Sequence, residues 1–473
     1  MPGPSILDGW PCVPCASILH HLAMRKLPLA AAAFLGLALL LHPHADHSPV
    51  VVSPREREAS IVLRGRDGAK PVVAVAGLAG QIDGGDPNPS ATLADTFRFD
   101  LAFEGVFDLL ALGDLTSPLP DRAGDPALGP WRDAGADGLL VGAVLEDAGQ
   151  LLVEARLYEL NRGQLAFARA VRGPADNPRG IAHVLAHELL ADQAGLQSVA
   201  MTRLAFVSDR AGSRREPTGY LRRIKEIFVS DYDGANQRAL TVDGDLVLTP
   251  ICSPYCTAVA YTAFRSGFQQ ILIARPAEGR VLPAAAGRGK NWLPAWSPDG
   301  QRLAFTSNRD GNEEIYVMKP DGSEAVRLTH SPRIDTSPAW SPDGSQIAFT
   351  SARTGSPQIW VMDSDGSNQR ALTRERYCDR PTWSPAPFNE IAYVSRTKTG
   401  FDIKVIEVDT GADRQLTFGR GFNESPAWAP SGRHLAFCST RSGTQQIWTM
   451  TRTGEDLRQV TRIGANSMPA WSR

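Results

Sequence analysis

Several short patterns in this chain carry residue types that could do chemistry. His183-Val-Leu-Ala-His187-Glu188 sets two imidazoles one helical turn apart beside a carboxylate. Zinc hydrolases arrange these groups as His-Glu-x-x-His or, inverted, His-x-x-Glu-His. The order here is neither, so the three read as ordinary residues on a helix face. Gly77-Leu-Ala-Gly80 follows an apolar run and could offer backbone N–H groups to a phosphate. It lacks the Gly-Lys-Ser/Thr ending of a phosphate loop, and Gly84-Gly85 after it reads as plain loop. Cys12-Val-Pro-Cys15 has redox spacing, yet it lies upstream of an export signal and is given no functional weight. No Gly-x-Ser-x-Gly nucleophile turn occurs in the sequence, and because the repeats run to its last residues no hydrolase domain is expected. Arg210, Arg265, Arg309, Arg353 and Arg441 recur at one place in a repeating unit, after its second strand. Such recurrence reads as structure, an Arg there satisfying turn carbonyls or a nearby Asp.

The elements behind these residues are repeats. Pro294-Ala-Trp-Ser-Pro-Asp-Gly, Leu303-Ala-Phe-Thr-Ser, Ile315-Tyr-Val-Met, Asp321-Gly and Leu328-Thr form a unit that returns with Trp296, Trp340, Trp383 and Trp428 at spacings of 44, 43 and 45. A fixed period of that size signals a propeller or solenoid. Within the unit, runs rich in Ile, Val, Phe and Tyr alternate with turn residues, which predicts four short antiparallel strands, one blade. A lone blade cannot bury both faces, so blades stack radially. Each Trp packs on a neighbour, where burying ~150–250 Å² at ~25 cal/mol/Å² is worth roughly 4–6 kcal/mol before entropy. The unit starting at Pro250 is degenerate, with Cys252 where Trp belongs. The first blade, with Leu204-Ala-Phe-Val-Ser and Ile227-Phe-Val-Ser, lacks its first strand, and Met468-Pro-Ala-Trp471-Ser is a first strand with nothing after it. The two fragments complete each other and close a ring of six.

Upstream of the repeats, Met24-Arg-Lys and the apolar run Leu27 to Leu41 have the form of a secretory signal, too short for a comfortable membrane span. Met24 is a better start than Met1, and cleavage is expected after Ala45. The chain thus divides into a leader at 1–45, a flexible arm at 46–57, an N-terminal α/β domain at 58–195 and a six-bladed β-propeller at 196–473. The overall class is mainly β, with WD40-like (PD40) repeats. In the α/β domain, Glu58 to Leu63 reads as a strand or strand-like peptide, Pro71 to Val75 as a buried strand, and Ser90 to Ala102 as a helix capped by Ser90. Three more strands are expected at Gly138 to Val144, Leu151 to Leu160 and Leu165 to Val171, then a helix from Ile181 to Ala191 opened by Asp176-Asn-Pro178. The 49 basic residues nearly balance the 51 acidic ones, for a net charge of -2, which argues against nucleic acid as the main partner. Export makes disulfides permissible, and Cys252 with Cys256 is either one disulfide or two buried thiols.

Val229-Ser-Asp-Tyr-Asp-Gly234-Ala-Asn236, the Trp-Ser-Pro-Asp-Gly units, the terminal Pro469-Ala-Trp-Ser472 and Ala136-Asp-Gly-Leu-Leu-Val-Gly142 together resemble the TolB family, propeller proteins of the periplasmic Tol-Pal system. The resemblance covers Glu58 to Arg473. It implies a non-enzymatic, monomeric adaptor with no cofactor, no catalytic or metal-binding residues and no membrane span in the mature protein. Its implied partners are the lipoprotein Pal, on the propeller, and the inner-membrane-anchored TolA, on the N-terminal segment. By position in the loops before the third and fourth blades, Lys290, Asn291, Leu293, Asp335 and Thr336 would face Pal. In the N-terminal segment Glu58, Ile61, Val62, Leu63 and Gly65 match the family pattern for the second contact. An exported propeller enzyme or carbohydrate-binding protein is the alternative. It would need convergent ionisable groups or a metal in the channel, where the blades supply mostly Ser, Thr, Asn and Arg.

Overall fold

The computed structural model describes residues 48–52, 61–81, 89–111, 127–215, 221–254, 256–265, 267–287 and 289–472. The expected leader, Cys12, Cys15, Glu58 and Gly84-Gly85 lie outside the described residues.

The N-terminal domain is a mixed sheet with helices on it. Its elements in chain order are β1 (Val50–Val51), β2 (Val72–Gln81), α1 (Pro89–Glu104), β3 (Asp108–Leu109), α2 (Gly129–Asp133), β4 (Gly138–Asp147), β5 (Gln150–Glu159), β6 (Gln164–Pro174) and α3 (Pro178–Ala194). The strand order is β1-β6-β5-β4-β2-β3, with β2 parallel to β3 and β4 and the remaining pairs antiparallel. Leu93, Phe97 and Leu101 of α1 and Ile181, Leu185 and Leu189 of α3 are fully buried in one core with Val153, Leu157 and Val171 of the sheet. Their four-residue spacing on the helices and alternation on the strands explain why these segments fold as they do. The Asn177 side chain caps α3 by accepting from the Gly180 N–H, Pro178 occupies the first turn, and Gly195 ends the helix at φ 64. Three expectations need correction. Ser90 lies inside α1, which begins at Pro89, so it is no cap. Gly77 to Gly80 sit within β2 rather than in a loop. Val50–Val51 of the expected arm pair with Arg172 and Val171 of β6, because that edge offers unpaired backbone groups.

The remainder is a six-bladed propeller, each blade a four-stranded antiparallel sheet. Blade 3, for example, runs outward from the channel through Asn291–Trp296, Leu303–Ser307, Glu314–Met318 and Val326–Arg327. The ring closes in blade 1, where the innermost strand is Asn466–Trp471, paired antiparallel with Arg203–Ser208. The Trp indoles tie blades together: Trp340 Nε1 donates to the Ala295 carbonyl of blade 3 (3.2 Å) and Trp428 Nε1 to the Thr382 carbonyl of blade 5 (3.1 Å). At the closure, Trp471 Nε1 donates to Thr202 Oγ1 at 2.7 Å. Cys252 and Cys256 form no disulfide, and the Cys252 thiol is buried and hydrogen-bonded to Cys256. Among the described residues no helix is long and apolar enough to cross a membrane.

Candidate functional site

Alternation of strand direction gives a propeller two different ends. One carries the turns that join first to second and third to fourth strands; the other carries the loops between second and third strands and between successive blades. At the first end the N-terminal domain sits on blades 1 and 6. Arg433 donates to the Glu104 carbonyl (2.7 Å), His434 Nε2 bonds the Phe103 carbonyl (3.0 Å), and Arg179 pairs with Asp233. Asp100, fully buried, accepts from Tyr232 (2.6 Å) and bonds His183 Nδ1 (2.8 Å). Burial drives the pKa of His434 down to about 4, so the ring is neutral. Burial also opposes charge on His183, but Asp100, backed by Asp231 and Asp233, outweighs it and raises the pKa. The pair expected on a helix face is thus split in role: His183 belongs to this interdomain network, and no group of three His, Cys, Asp or Glu able to hold a metal occurs among the described residues.

The blade arginines are structural. Arg309 donates to Ser307 Oγ (3.0 Å) and Asn291 Oδ1 (3.0 Å) and lies over Phe305 and Tyr316. Arg441 repeats this with Ser439, Asn423, Phe437 and Trp448, and Arg353 with Ser351 and Asp335. Arg265 departs, pairing with Asp243 at 3.1 Å. In blade 5 no Arg occupies this place; Lys404 and Tyr393 converge on Glu375 instead, and burial pushes the Cys378 thiol up to about 12.

The first strand of every blade carries a bulge, and the residue before its Pro has positive φ although it is not glycine: Thr249, Leu293, Ser337, Arg380, Ser425 and Met468, at φ 50 to 55. Left-handed backbone before Pro costs of order 1–3 kcal/mol and survives only where packing over-determines it. Repeated six times, it kinks the inner strands around a cavity of about 220 Å³ at the channel, of which Arg380 is the charged lining residue.

The residues expected to face a partner fall into two groups. Asn291 and Asp335 open inner strands and are fully buried, their side chains engaged by Arg309 and Arg353. Lys290 is exposed at the loop end of the propeller, Leu293 lines the channel, and the Thr336 hydroxyl meets Thr306 at 3.2 Å. In the N-terminal segment, the Gln193 side chain clamps the backbone, accepting from Leu63 N (3.0 Å) and donating to the Ile61 carbonyl (3.1 Å). Leu63 is buried against Gly138 and Val62 is exposed. A Cβ at Gly65 would lie 2.3 Å from the Ala69 carbonyl oxygen, which is why glycine stands there.

The loop end itself is apolar to a degree the sequence reading missed. Val242 (71% exposed), Ile334, Phe418 (72%), Phe422 and Ile463 (69%) all stand in loops between blades at this end. All three exposed phenylalanines among the described residues, with Phe268, are here. Tyr377, Phe401 and Phe422 form a chain of rings with centroids 5.6 and 6.1 Å apart. A signal existed: Phe418-Gly-Arg-Gly-Phe422 is a glycine-flanked loop with aromatics and no strand alternation to bury them. Loops on a scaffold are where recognition residues concentrate, and exposed apolar groups gathered in one place are a mark of an interaction surface.

Residues 191–473 match the TolB beta propeller domain family and residues 59–166 the TolB amino-terminal domain family. The chain is 32% identical over 205 residues to the Tol-Pal system protein TolB of Jannaschia sp. (strain CCS1), covering 43% of this chain and 44% of that one. To the Tol-Pal system protein TolB of Anaeromyxobacter dehalogenans (strain 2CP-C) it is 34% identical over 259 residues, 54% and 55% of the two chains. The chain spans about half the length of the curated relatives it matches. Among solved structures, the crystal structure of TolB from Acinetobacter baumannii aligns with TM-score 0.71 and 23% identity over 90% of this chain and 99% of that one, which shows a shared fold.

Proposed function

The chain belongs to the TolB family, and from that premise we propose that it is a non-enzymatic periplasmic adaptor of a Tol-Pal system. It docks the peptidoglycan-associated lipoprotein Pal on the loop end of its propeller and offers its N-terminal segment to TolA, so helping to hold the outer membrane to the cell. The observation that carries this reading is the gathering of exposed Val242, Ile334, Phe418, Phe422 and Ile463 on the end that the N-terminal domain leaves free. A channel-based activity would instead call for converging acids and bases. Lys290, Leu293 and Thr336 belong to the same end and remain the proposed contacts of blades 3 and 4, with Asn291 and Asp335 holding their strands rather than touching the partner through their side chains. For the N-terminal contact, Ile61 to Gly65 is the described part of the segment. Affinity purification of the mature protein from its own envelope extract tests the proposal. Recovery of Pal and TolA, with Pal lost on Phe418→Ser/Phe422→Ser, is expected; retention of Pal by that variant would contradict the docking end.

A further inference from the structure

A net charge of -2 hides a strong segregation of charge along the propeller axis. Among the described residues, the segments joining blade strands at the loop end hold 16 Arg and Lys against 6 Asp and Glu, whereas those at the end bearing the N-terminal domain hold 4 against 10. Setting aside Arg210, Arg309, Arg353 and Arg441, which are spent inside their blades, 12 basic residues still oppose 6 acidic ones. They are not evenly spread. Lys290, Arg333, Arg374, Arg376, Lys398, Arg420 and Arg462, with Arg396 at the end of its strand, are exposed and, among the described residues, have no carboxylate partner. Six of these eight, all but Lys290 and Arg462, stand on blades 4 and 5 or in the loops on either side of them, the arc that also holds Ile334, Tyr377, Phe418 and Phe422. Unpaired cations, mostly guanidiniums, around exposed aromatic rings have the composition of a protein interface, apolar at its centre and charged at its rim.

We infer that this arc over blades 4 and 5 recognises an acidic protein surface with an apolar centre, the arginines setting which partner docks and how fast. The inference rests on the proposed docking end and adds the partner's chemistry. Complementary rim charge steers encounter and excludes partners of the wrong sign, while the phenylalanines supply the area that holds the complex. Arg380 in the channel mouth, donating to Ser425 Oγ at 3.0 Å, places one more cation at the centre of the face.

The test uses the full mature protein, its Arg374→Glu/Arg376→Glu/Arg420→Glu variant, and Arg172→Glu on the exposed side of β6 as control. Each is titrated with the soluble domain of the cognate Pal, with poly-L-glutamate of about 20 residues, and with phosphatidylglycerol vesicles. Pal is expected to bind the triple variant roughly 10- to 100-fold more weakly and the control unchanged, with affinity falling between about 0.1 M and 1 M salt as the Debye length shrinks from ~10 to ~3 Å. Poly-glutamate should bind the parent and control at low salt and not the triple variant. Salt-independent Pal binding of equal strength to all three proteins, or failure of poly-glutamate to bind the parent, overturns the inference while the adaptor reading stands. Tighter binding of the vesicles than of poly-glutamate also overturns it, in favour of a membrane surface. If Pal fails to bind the parent but poly-glutamate behaves as expected, the adaptor reading fails and the acidic-partner inference survives.

Discussion

Replacing Trp471 by Ala examines the ring closure, on which the geometry of every loop depends. Trp471 is 4% exposed, lies in the same core as Leu204 and Phe206, and donates to Thr202 Oγ1 at 2.7 Å. Truncating a buried Trp costs roughly 3–5 kcal/mol through lost burial and an unfilled cavity, and the unmade hydrogen bond adds about 1 kcal/mol. The reference is Trp340→Ala in blade 4, where Trp340 is 5% exposed and donates to a backbone carbonyl at 3.2 Å within an uninterrupted stretch of repeats. Blade 1 has a further weakness, because its inner strand is joined to its second strand by hydrogen bonds alone. Trp471→Ala should therefore destabilise by at least as much as Trp340→Ala. The assay is equilibrium unfolding in denaturant for parent and both variants, with slopes compared so that partial opening of one blade is recognised as a lower slope. A Trp471→Ala protein as stable as the parent would refute the reasoning, since it would mean that the terminal strand does not bear on closure.

His434 is neutral in the folded protein with a pKa of about 4 against an ordinary value of 6.5, so the unfolded chain takes up the proton first as pH falls. Roughly 3 kcal/mol should be lost between pH 6.5 and 4, and His434→Gln should flatten that limb; an unchanged limb in thermal melts across this range would contradict the assignment. Glu104, its carboxyl raised by burial, shifts stability the opposite way, losing it as pH rises above the ordinary carboxylate range, which is why parent and variant must be compared as a difference. Asn291→Ala should cost about 1–3 kcal/mol by leaving Arg309 and Ser307 short of an acceptor, so it should lower the melting temperature; loss of Pal binding with an unchanged melt would instead make Asn291 a direct contact. Gln193→Leu unclamps Ile61 and Leu63, and hydrogen exchange at the Leu63 amide should accelerate while the propeller amides stay protected; equal exchange at Leu63 would show that the clamp holds nothing.

The blades were legible because each one repeats the same turn chemistry at a nearly constant period, and the degenerate unit at Cys252 still shows its Val259-Ala260-Tyr261 strand. Closure was legible from the two incomplete units. Elements of two residues, β1 and β3, and the single turn α2 were not, since such lengths carry no periodicity and form only against a sheet edge or a domain surface. The site was read in part. The loops before the inner strands gather at one end, but Asn291 and Asp335 read as loop residues because they are polar and follow Gly289-Lys290 and Arg333-Ile334. Whether such a residue is buried is decided by the Arg that a later strand of the same blade brings over it, a contact with no signature at the position itself. Phe418 gives no such sign for the opposite reason: an apolar residue in a repeat is taken to be core unless the strand that would bury it is shown to be missing.

The adaptor account stands most directly on where Pal touches the protein. Hydrogen exchange of the mature protein with and without the soluble domain of its cognate Pal locates that surface without any substitution. The account predicts new protection in the loops spanning 330–337, 372–380 and 416–425 at the loop end of the propeller, with the turns at 276–279, 319–325 and 364–369 at the opposite end unchanged. Protection confined to the N-terminal domain, or to those opposite turns, would contradict it.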